Sequence, residues 1–319
     1  MADLWSIAFG LRFGFLRVTR PSKAPIPFYC DRPPPRVKSH WVMAMLAVVL
    51  CANPFSPSHA GNRGEEPVER RPWTFSFYFE NDLFADTDQH YTNGLKLSWV
   101  SPDVSEYTQI DALPDWAHAF ARRLPFFPEY DGQTERNVVL SVGQNIYTPQ
   151  DIDRAGLIEN DRPYAGWLYF GLGFQSRNDR QLDELELQIG MVGPLSLAEE
   201  TQSFVHELRD LNRPRGWNNQ LRNEPGVAAV YQRRWRHAKP NMSDQLGIDA
   251  ITHVGGAVGN VAIFAEAGAM VRFGWNLPKD FGTSRIRPGG DAGAPIGGRS
   301  PKRRKFGIHG FIGIDGQYV

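Results

Sequence analysis

The sequence of 319 residues is poor in cysteine, with only Cys30 and Cys51, both near its start. The rest of the chain therefore offers no disulfide framework, no thiolate nucleophile and no cysteine-ligated metal site. The sequence also lacks an excess of charge of either sign, since 35 basic and 35 acidic residues give a formal net charge of +0. Because nucleic-acid-binding proteins need a basic surface, we expect no nucleic acid partner.

Long hydrophobic runs are absent as well. The apolar run at residues 41–51 is far shorter than the roughly 20 residues that a membrane-spanning helix needs. A short apolar core of this kind, followed by small residues, is typical of a secretory signal peptide. We expect residues 1–60 to be an upstream extension plus this signal peptide, with cleavage after Ala60, and residues 61–319 to be the mature protein.

Alternation of apolar and polar residues is the dominant pattern after residue 60. A period of two side chains is typical of strands that have one apolar face. Enrichment in aromatic residues and glycine, together with a secretory signal, favours an antiparallel transmembrane β-barrel of the outer membrane. A soluble periplasmic β-sandwich or lipocalin-like barrel is the alternative. The nine predicted strands are 73–80, 93–101, 137–145, 166–176, 182–192, 225–236, 245–255, 261–273 and 307–316.

Two segments carry helical signals. Residues 196–199, Ser-Leu-Ala-Glu, form a capping-box pattern that predicts a helix beginning at Ser196 and ending at Leu211. Residues 110–124 predict a second short helix, whereas residues 278–305 are rich in glycine, proline and arginine and predict a long loop. The apolar side of the first helix is predicted to comprise Phe204, Val205, Leu208 and Leu211.

Polar side chains concentrate in loops that we expect to share one end of the barrel. Successive loops of an up-and-down barrel alternate between its two ends, so loops 81–92, 146–165 and 193–224 lie together. The candidate residues that these loops carry are Asn81, Asp82, Thr92, Arg154, Arg162 and His206.

Common catalytic and metal motifs are not completed in this sequence. His206 begins an HExxH-like pattern, but Asp210 stands where the second histidine must be. There is no G-x-S-x-G element of a serine hydrolase. Residues 86–88 begin like a calcium loop, yet the glycine and glutamate at EF-hand spacing are missing. An ordinary surface histidine at His206 and a plain turn at Asn81 and Asp82 are the alternatives to a catalytic site.

Several separate motifs, in sequence order, resemble those of the outer-membrane lipid A 3′-O-deacylase family. The resemblance covers roughly residues 72–319. It implies a twelve-stranded barrel, of which about nine strands are present, with a short helix in an extracellular loop; barrels of this kind have even strand numbers. The matching segments are 80–94, 143–149, 161–169, 190–194, His206 and 216–221.

The activity that the resemblance implies is carboxylic ester hydrolysis. Such an enzyme removes the 3′-linked acyloxyacyl chain of lipid A, depends on calcium, and works as a monomer at the extracellular rim of the outer membrane. Its substrate is lipid A within lipopolysaccharide. By motif position the resemblance implies that His206, Asn81, Asp82 and Thr92 are catalytic, and Asp82 is the expected calcium ligand.

Two positions depart from the family pattern. Arg154 stands where the family has lysine, and a guanidinium keeps the charge but has a different shape. The acidic residue expected shortly after the histidine is Asn212 here, with Asp210 and Glu207 as alternative carboxylates.

The residue types suit ester hydrolysis. Imidazole titrates near neutral pH, so His206 can activate a water molecule. A calcium ion held by Asp82 can stabilise the oxyanion as a Lewis acid. Arg154 and Arg162 are candidates for binding the glucosamine phosphates.

The odd strand number leads to a further expectation. Because an unpaired strand edge leaves backbone groups unsatisfied in lipid, we expect the chain to be truncated, with about three C-terminal strands missing relative to the family. Two other functions stay open. One is a non-catalytic outer-membrane barrel, inactive because it is truncated, and the other is a soluble periplasmic calcium-binding β protein.

Overall fold

One sheet of ten strands dominates the computed structural model. The structure describes residues 5–12, 73–81, 93–110, 113–121, 123, 134–237, 246–282 and 306–318. The strands are β1 (Trp5–Arg12), β2 (Thr74–Asn81), β3 (Asn93–Val100), β4 (Glu135–Tyr147), β5 (Ala165–Arg177), β6 (Gln181–Val192), β7 (Glu224–Arg236), β8 (Leu246–Gly259), β9 (Phe264–Trp275) and β10 (Phe306–Tyr318).

Strands β2 to β10 pair antiparallel with their neighbours in sequence order and form a half-barrel. The nine predicted strands are confirmed, with ends that shift by at most four residues. We call the end of the sheet where β2, β4, β6, β8 and β10 finish the site rim. The loops after β4 and β6 lie at this rim, as the alternation of loops predicts, and β2 ends at the same rim.

The tenth strand, β1, was not predicted. It pairs in parallel with β10, with Trp5 opposite Phe306. Its sequence does alternate large apolar residues with small or polar ones, a signal that is easily overlooked in a segment of eight residues. The proposed cleavage after Ala60 stays a prediction.

The two faces of the sheet have opposite character. Side chains of one set point outward and are apolar and exposed, whereas the alternate set points inward and is mostly polar and buried. This inside-out alternation is that of an outer-membrane β-barrel, and the all-β fold class is confirmed. Outward examples are Phe75, Phe77, Phe170, Ile189, Val227, Val258, Val271, Ile312 and Ile314, and inward examples are Lys96, Ser141, Glu186, Gln232, Glu266 and Arg272.

The inward polar side chains are paired with one another. Lys96 Nζ lies 3.0 Å from Glu186 Oε2, and Ser141 Oγ donates to Glu186 Oε1 at 2.8 Å. Gly171 lies between these side chains, and a Cβ at this position would overlap Ser141 Oγ and Glu186 Oε1. Because a lone buried charge is costly, such pairing lets the interior hold ionised groups.

Two short helices pack on the outward side. Helix α1 (Asp115–Ala121) and the 3-10 turn Tyr107–Gln109 cover Val138 and Phe174 at the end opposite the site rim. Residues 110–124 were predicted to be helical, and the helix proper is shorter. Helix α2 (Ala198–Leu208) lies at the site rim. No helix in the described ranges is long and apolar enough to cross a membrane. The predicted loop 278–305 is described only up to residue 282.

Candidate functional site

Helix α2 is seated against the outward side of β4 and β5. Gln144 Nε2 donates to the carbonyl of Ser196 at 2.6 Å. Ala198 packs with Ile146, and Gly166 lies so close that a Cβ there would overlap Ser196 and Ala198. Because glycine alone permits this approach, Gly166 lets the helix rest directly on the barrel wall.

The start of α2 differs from the sequence prediction. Ser196 does not cap the helix; its hydroxyl donates to the carbonyl of Gly193 at 2.6 Å, within a short 3-10 turn. Leu197 adopts the left-handed conformation, with φ 58°, and the helix begins at Ala198. The predicted capping box is therefore wrong, since the left-handed residue turns the Ser196 side chain away from the first helical N–H groups.

Glu199 and Glu200 lie in the first turn of α2. Burial raises the pKa of Glu200, and the charge of Glu199 acts in the same direction. A raised folded-state pKa means that this carboxyl favours folding most at low pH, and its contribution is lost as pH rises through that value.

The orientation of α2 also differs from the prediction. Its buried face carries Ala198, Gln202 and His206, spaced by four residues and thus aligned on one side. Of the residues predicted to form its apolar side, Phe204 is 45% exposed and Leu208 is 74% exposed, so both face away from the wall, whereas Val205 is half-buried. This face meets Ile146 and Gly166 of the wall and Trp217 of the following loop.

His206 is the catalytic candidate on this face, and it is only 6% exposed. Its Nδ1 lies 2.7 Å from the main-chain carbonyl oxygen of Asn212. A carbonyl can only accept, so Nδ1 is the donor and Nε2 keeps a lone pair when the ring is neutral. The tautomer that results is the one suited to a base acting through Nε2.

A tight turn after α2 brings Asn212 back to the imidazole. Leu211 N–H donates to the carbonyl of His206 at 2.9 Å, and Asp210 N–H donates to that of Glu207 at 3.3 Å. This is a Schellman motif, and Asp210 occupies its left-handed position with φ 53°. The chain therefore uses backbone geometry to place an acceptor at His206.

The two alternative carboxylates do not take that place. Glu207 forms an exposed ion pair with Arg213 at 3.0 Å. Asp210 contributes its backbone conformation to the turn. Within the part of the chain that the structure describes, the imidazole is thus held by the carbonyl of Asn212 and not by a carboxylate.

Gln202 is a functional candidate that sequence reasoning missed. Trp217 Nε1 donates to Gln202 Oε1 at 2.9 Å, and both side chains are buried. Because an indole N–H only donates, Oε1 is the atom facing Trp217 and the amide orientation is determined. Among the described residues Gln202 Nε2 has no hydrogen-bond acceptor. The signal available in the sequence was its spacing, because Gln202 precedes His206 by four residues and so lies on the same face of the helix.

The aromatic pair Tyr164 and Trp217 supports this arrangement. Their ring centroids lie 4.8 Å apart, and Tyr164 hydroxyl donates to the carbonyl of Ile152 at 3.2 Å. Tyr164, Trp217, Ile146 and Ala198 form one buried cluster. The loops before β5 and after α2 are thereby joined to the helix that carries His206.

The two predicted substrate-binding arginines lie in different surroundings. Arg154 is exposed, and its carbonyl lies against Gly216, next to Trp217. Arg162 is half-buried, with its guanidinium 5.9 Å from the centroid of the Tyr147 ring. Arg162 also lines an inward cavity of about 400 Å³ together with Trp167.

The remaining predicted site residues are only partly described. The backbone of Asn81 pairs with Asn93 at the site rim. The side chain of Asn81, and all of Asp82 and Thr92, lie outside the described residues. Among the residues that are described, no group of three or more histidine, cysteine or acidic side chains could hold a metal ion. The roles of these three residues and of calcium stay predictions.

Comparison with known proteins identifies a family. The family described as "Outer membrane protein LpxR" matches residues 43–319. A solved structure, LpxR from Salmonella typhimurium, is similar over 60% of this chain and 57% of that chain, with 18% sequence identity and a TM-score of 0.45. The match thus spans little more than half the length of that protein. No curated protein matched the sequence.

Proposed function

The chain belongs to the LpxR family of outer membrane proteins, and on that premise we propose that it is a lipid A 3′-O-deacylase. The reaction is hydrolysis of the ester that links the acyloxyacyl chain to the 3′ hydroxyl of lipid A. The observation that carries the proposal is the buried His206, whose Nδ1 donates to a main-chain carbonyl and whose Nε2 keeps its lone pair.

His206 acts as the general base. Its Nε2 accepts a proton from a water molecule, and the water oxygen forms a bond to the ester carbonyl carbon. The tetrahedral intermediate then breaks its bond to the 3′ oxygen, and the imidazolium returns the proton to that oxygen. The products are the free carboxylic acid and the 3′ hydroxyl, so no covalent enzyme intermediate is required.

Gln202 supplies a donor for the negative charge of this intermediate. Its Nε2 lies on the same helix face as His206, and Trp217 holds the amide in one orientation. A donor that is buried and already oriented stabilises a developing oxyanion without reorganisation. Gln202 is therefore a catalytic candidate beside His206.

Calcium is proposed as the cofactor, with Asp82 as a ligand and Asn81 and Thr92 beside it. When bound, the ion would supply positive charge that polarises the ester carbonyl. Asp82 follows β2, whose end lies at the same rim as α2. Arg154 and Arg162 are proposed to bind the glucosamine phosphates, and the site rim is proposed to face the outside of the cell.

Mass spectrometry of lipid A tests the proposal. Cells that express the protein should lose the mass of the 3′-linked chain, and His206→Ala should restore the parent mass while the protein still inserts. His118→Ala, in α1 at the opposite end, is the matched control and should leave deacylation intact. Chelation of calcium should also stop the loss.

A non-catalytic outer-membrane barrel is the alternative function. Such a barrel would leave lipid A unchanged under every condition, including expression of the wild-type protein in excess calcium. That outcome would end the deacylase proposal, and the buried imidazole would then be a structural feature of the loop.

A further inference from the structure

The outward face of helix α2 carries more apolar surface than a helix in water normally exposes. Phe204 and Leu208 lie four residues apart on one stripe, 45% and 74% exposed. Leu195 before the helix and Leu211 after it are also exposed, at 51% and 38%. Apolar patches of this kind mark surfaces that contact a partner or a membrane.

The position of α2 decides what this face meets. The helix packs on Gln144, Ile146 and Gly166. Side chains alternate along a strand, so Gly166 points to the same side of β5 as Phe170, which is 58% exposed. Helix α2 therefore lies outside the barrel wall and not over its interior.

The apolar stripe of α2 lies on the same side of the wall as the exposed apolar side chains of the barrel. Phe170 lies four residues from Gly166 along the same strand, roughly 13 Å at the usual rise per residue. Its outward neighbours in the same row are Ile189, 64% exposed, and Val227. In an outer-membrane barrel this band contacts acyl chains.

Charged side chains flank the stripe on its other side. Glu207 and Arg213 form their ion pair in solvent, with side chains 66% and 65% exposed. An apolar stripe bordered by ionised groups is the pattern of a helix that lies at a membrane surface. The apolar edge then enters the acyl region while the charged edge stays among head groups.

We propose that the Phe204–Leu208 face of α2, with Leu195 and Leu211, is immersed in the acyl chains of the leaflet at the site rim. Lipid then reaches His206 sideways from the membrane and not from solution. This second statement rests on the proposed deacylase function, whereas the immersion of the helix does not. We propose that lipid acyl chains cover this face. The experiment must distinguish them from a second copy of the protein bound at the same face.

Spin labelling tests the immersion of the helix. The full chain, with Cys30 and Cys51 replaced by serine, receives a single cysteine at position 204, 208 or 207 and is reconstituted in vesicles containing lipopolysaccharide. Glu207→Cys is the matched control, since it lies beside Leu208 on the charged edge. We expect the ratio of oxygen to nickel-chelate accessibility at positions 204 and 208 to exceed that at 207 at least about threefold.

Two results would overturn the immersion. Equal, water-like accessibility at positions 208 and 207 would show that the face is in solvent. Low accessibility to both probes at position 208, together with cross-linked dimers, would show that a second copy covers it.

Kinetics test sideways delivery. Leu208→Gln should lower kcat/KM on vesicle-embedded lipid A at least about tenfold and leave hydrolysis of a water-soluble short-chain ester unchanged. Glu207→Gln is the control and should change neither. Equal losses of Leu208→Gln on both substrates would overturn delivery from the membrane. If the wild type is inactive on both substrates while the labelling pattern holds, the deacylase function fails and the immersed helix stands.

Discussion

His206 gives its Nδ1 hydrogen to the main-chain carbonyl of Asn212, over 2.7 Å. A main-chain carbonyl is neutral and does not titrate, so it orients the ring without adding a negative charge. Metal and catalytic histidines are often oriented in this way by a carbonyl or a carboxylate. The site thus obtains the base tautomer from the path of the backbone, although the family pattern led us to expect an acidic side chain there.

The side chain of Asn212 should be dispensable. In Asn212→Ala the carbonyl remains, so we expect kcat/KM on lipid A to stay within about twofold of the wild type, as for a substitution that removes no contact of consequence. Quantitative mass spectrometry of timed lipid A digests measures this. A hundredfold loss would show that the side chain itself acts on the imidazole.

The left-handed turn at Asp210 should be essential. Glycine adopts positive φ freely, whereas a β-branched residue there costs at least about 1–2 kcal/mol. We therefore expect Asp210→Gly to keep full activity and Asp210→Val to lose about tenfold in kcat at unchanged KM, since only the base is displaced. If both variants lose activity equally, the carboxylate of Asp210 matters and its backbone conformation does not.

Trp217 should control the oxyanion donor through Gln202. Trp217→Phe keeps the ring that packs on Tyr164 but removes the N–H that holds Gln202 Oε1. Loss of one buried hydrogen bond costs about 1–3 kcal/mol, so kcat should fall about tenfold or more. Trp116→Phe, at an exposed position in α1, is the control and should have no effect.

Gly166 should be required for the packing of α2 on the barrel wall. A methyl group at this position overlaps Ser196 and Ala198, so Gly166→Ala should push the helix from the wall and abolish activity. Gly156→Ala is matched in chemistry and lies in the loop that precedes β5, with nothing within 4 Å of the added carbon. Heat-modifiable migration on gels should be the same for both variants; a failure of Gly166→Ala to insert would instead indicate a role in barrel folding.

The interior pair of Lys96 and Glu186 should stabilise the barrel only as a pair. Lys96→Met leaves a buried carboxylate without its cation, which costs about 3–5 kcal/mol. The midpoint of urea unfolding in detergent should fall accordingly. The double variant Lys96→Met with Glu186→Gln should recover part of that loss, and no recovery would mean that the two side chains do not interact.

Much of the site could be placed from the sequence because its position depends on counting strands. Each strand shows a period of two over eight or more residues, so the loops carrying Arg154 and His206 could be assigned to one rim. The geometry within that rim could not be predicted. Leu197 and Asp210 both adopt the left-handed conformation although neither is glycine, and no local sequence pattern predicts this.

The direction of α2 shows where sequence reasoning stops. Its periodicity separates Phe204 and Leu208 from Gln202 and His206 correctly, but it does not say which side faces the protein. In a water-soluble protein the apolar side would be buried. Here the helix lies on the outer wall of a membrane barrel, so the polar side faces protein and the apolar side faces outward.

By itself, then, the sequence determined the all-β class, the order of nine strands and the identity of the candidate histidine, since these depend on local alternation and on residue type. Only the tertiary structure decided which nitrogen of His206 is held, which atom of Gln202 faces Trp217 and which face of α2 meets the wall. These depend on contacts between residues far apart in the chain, such as Gly166 with Ala198 and Trp217 with Gln202.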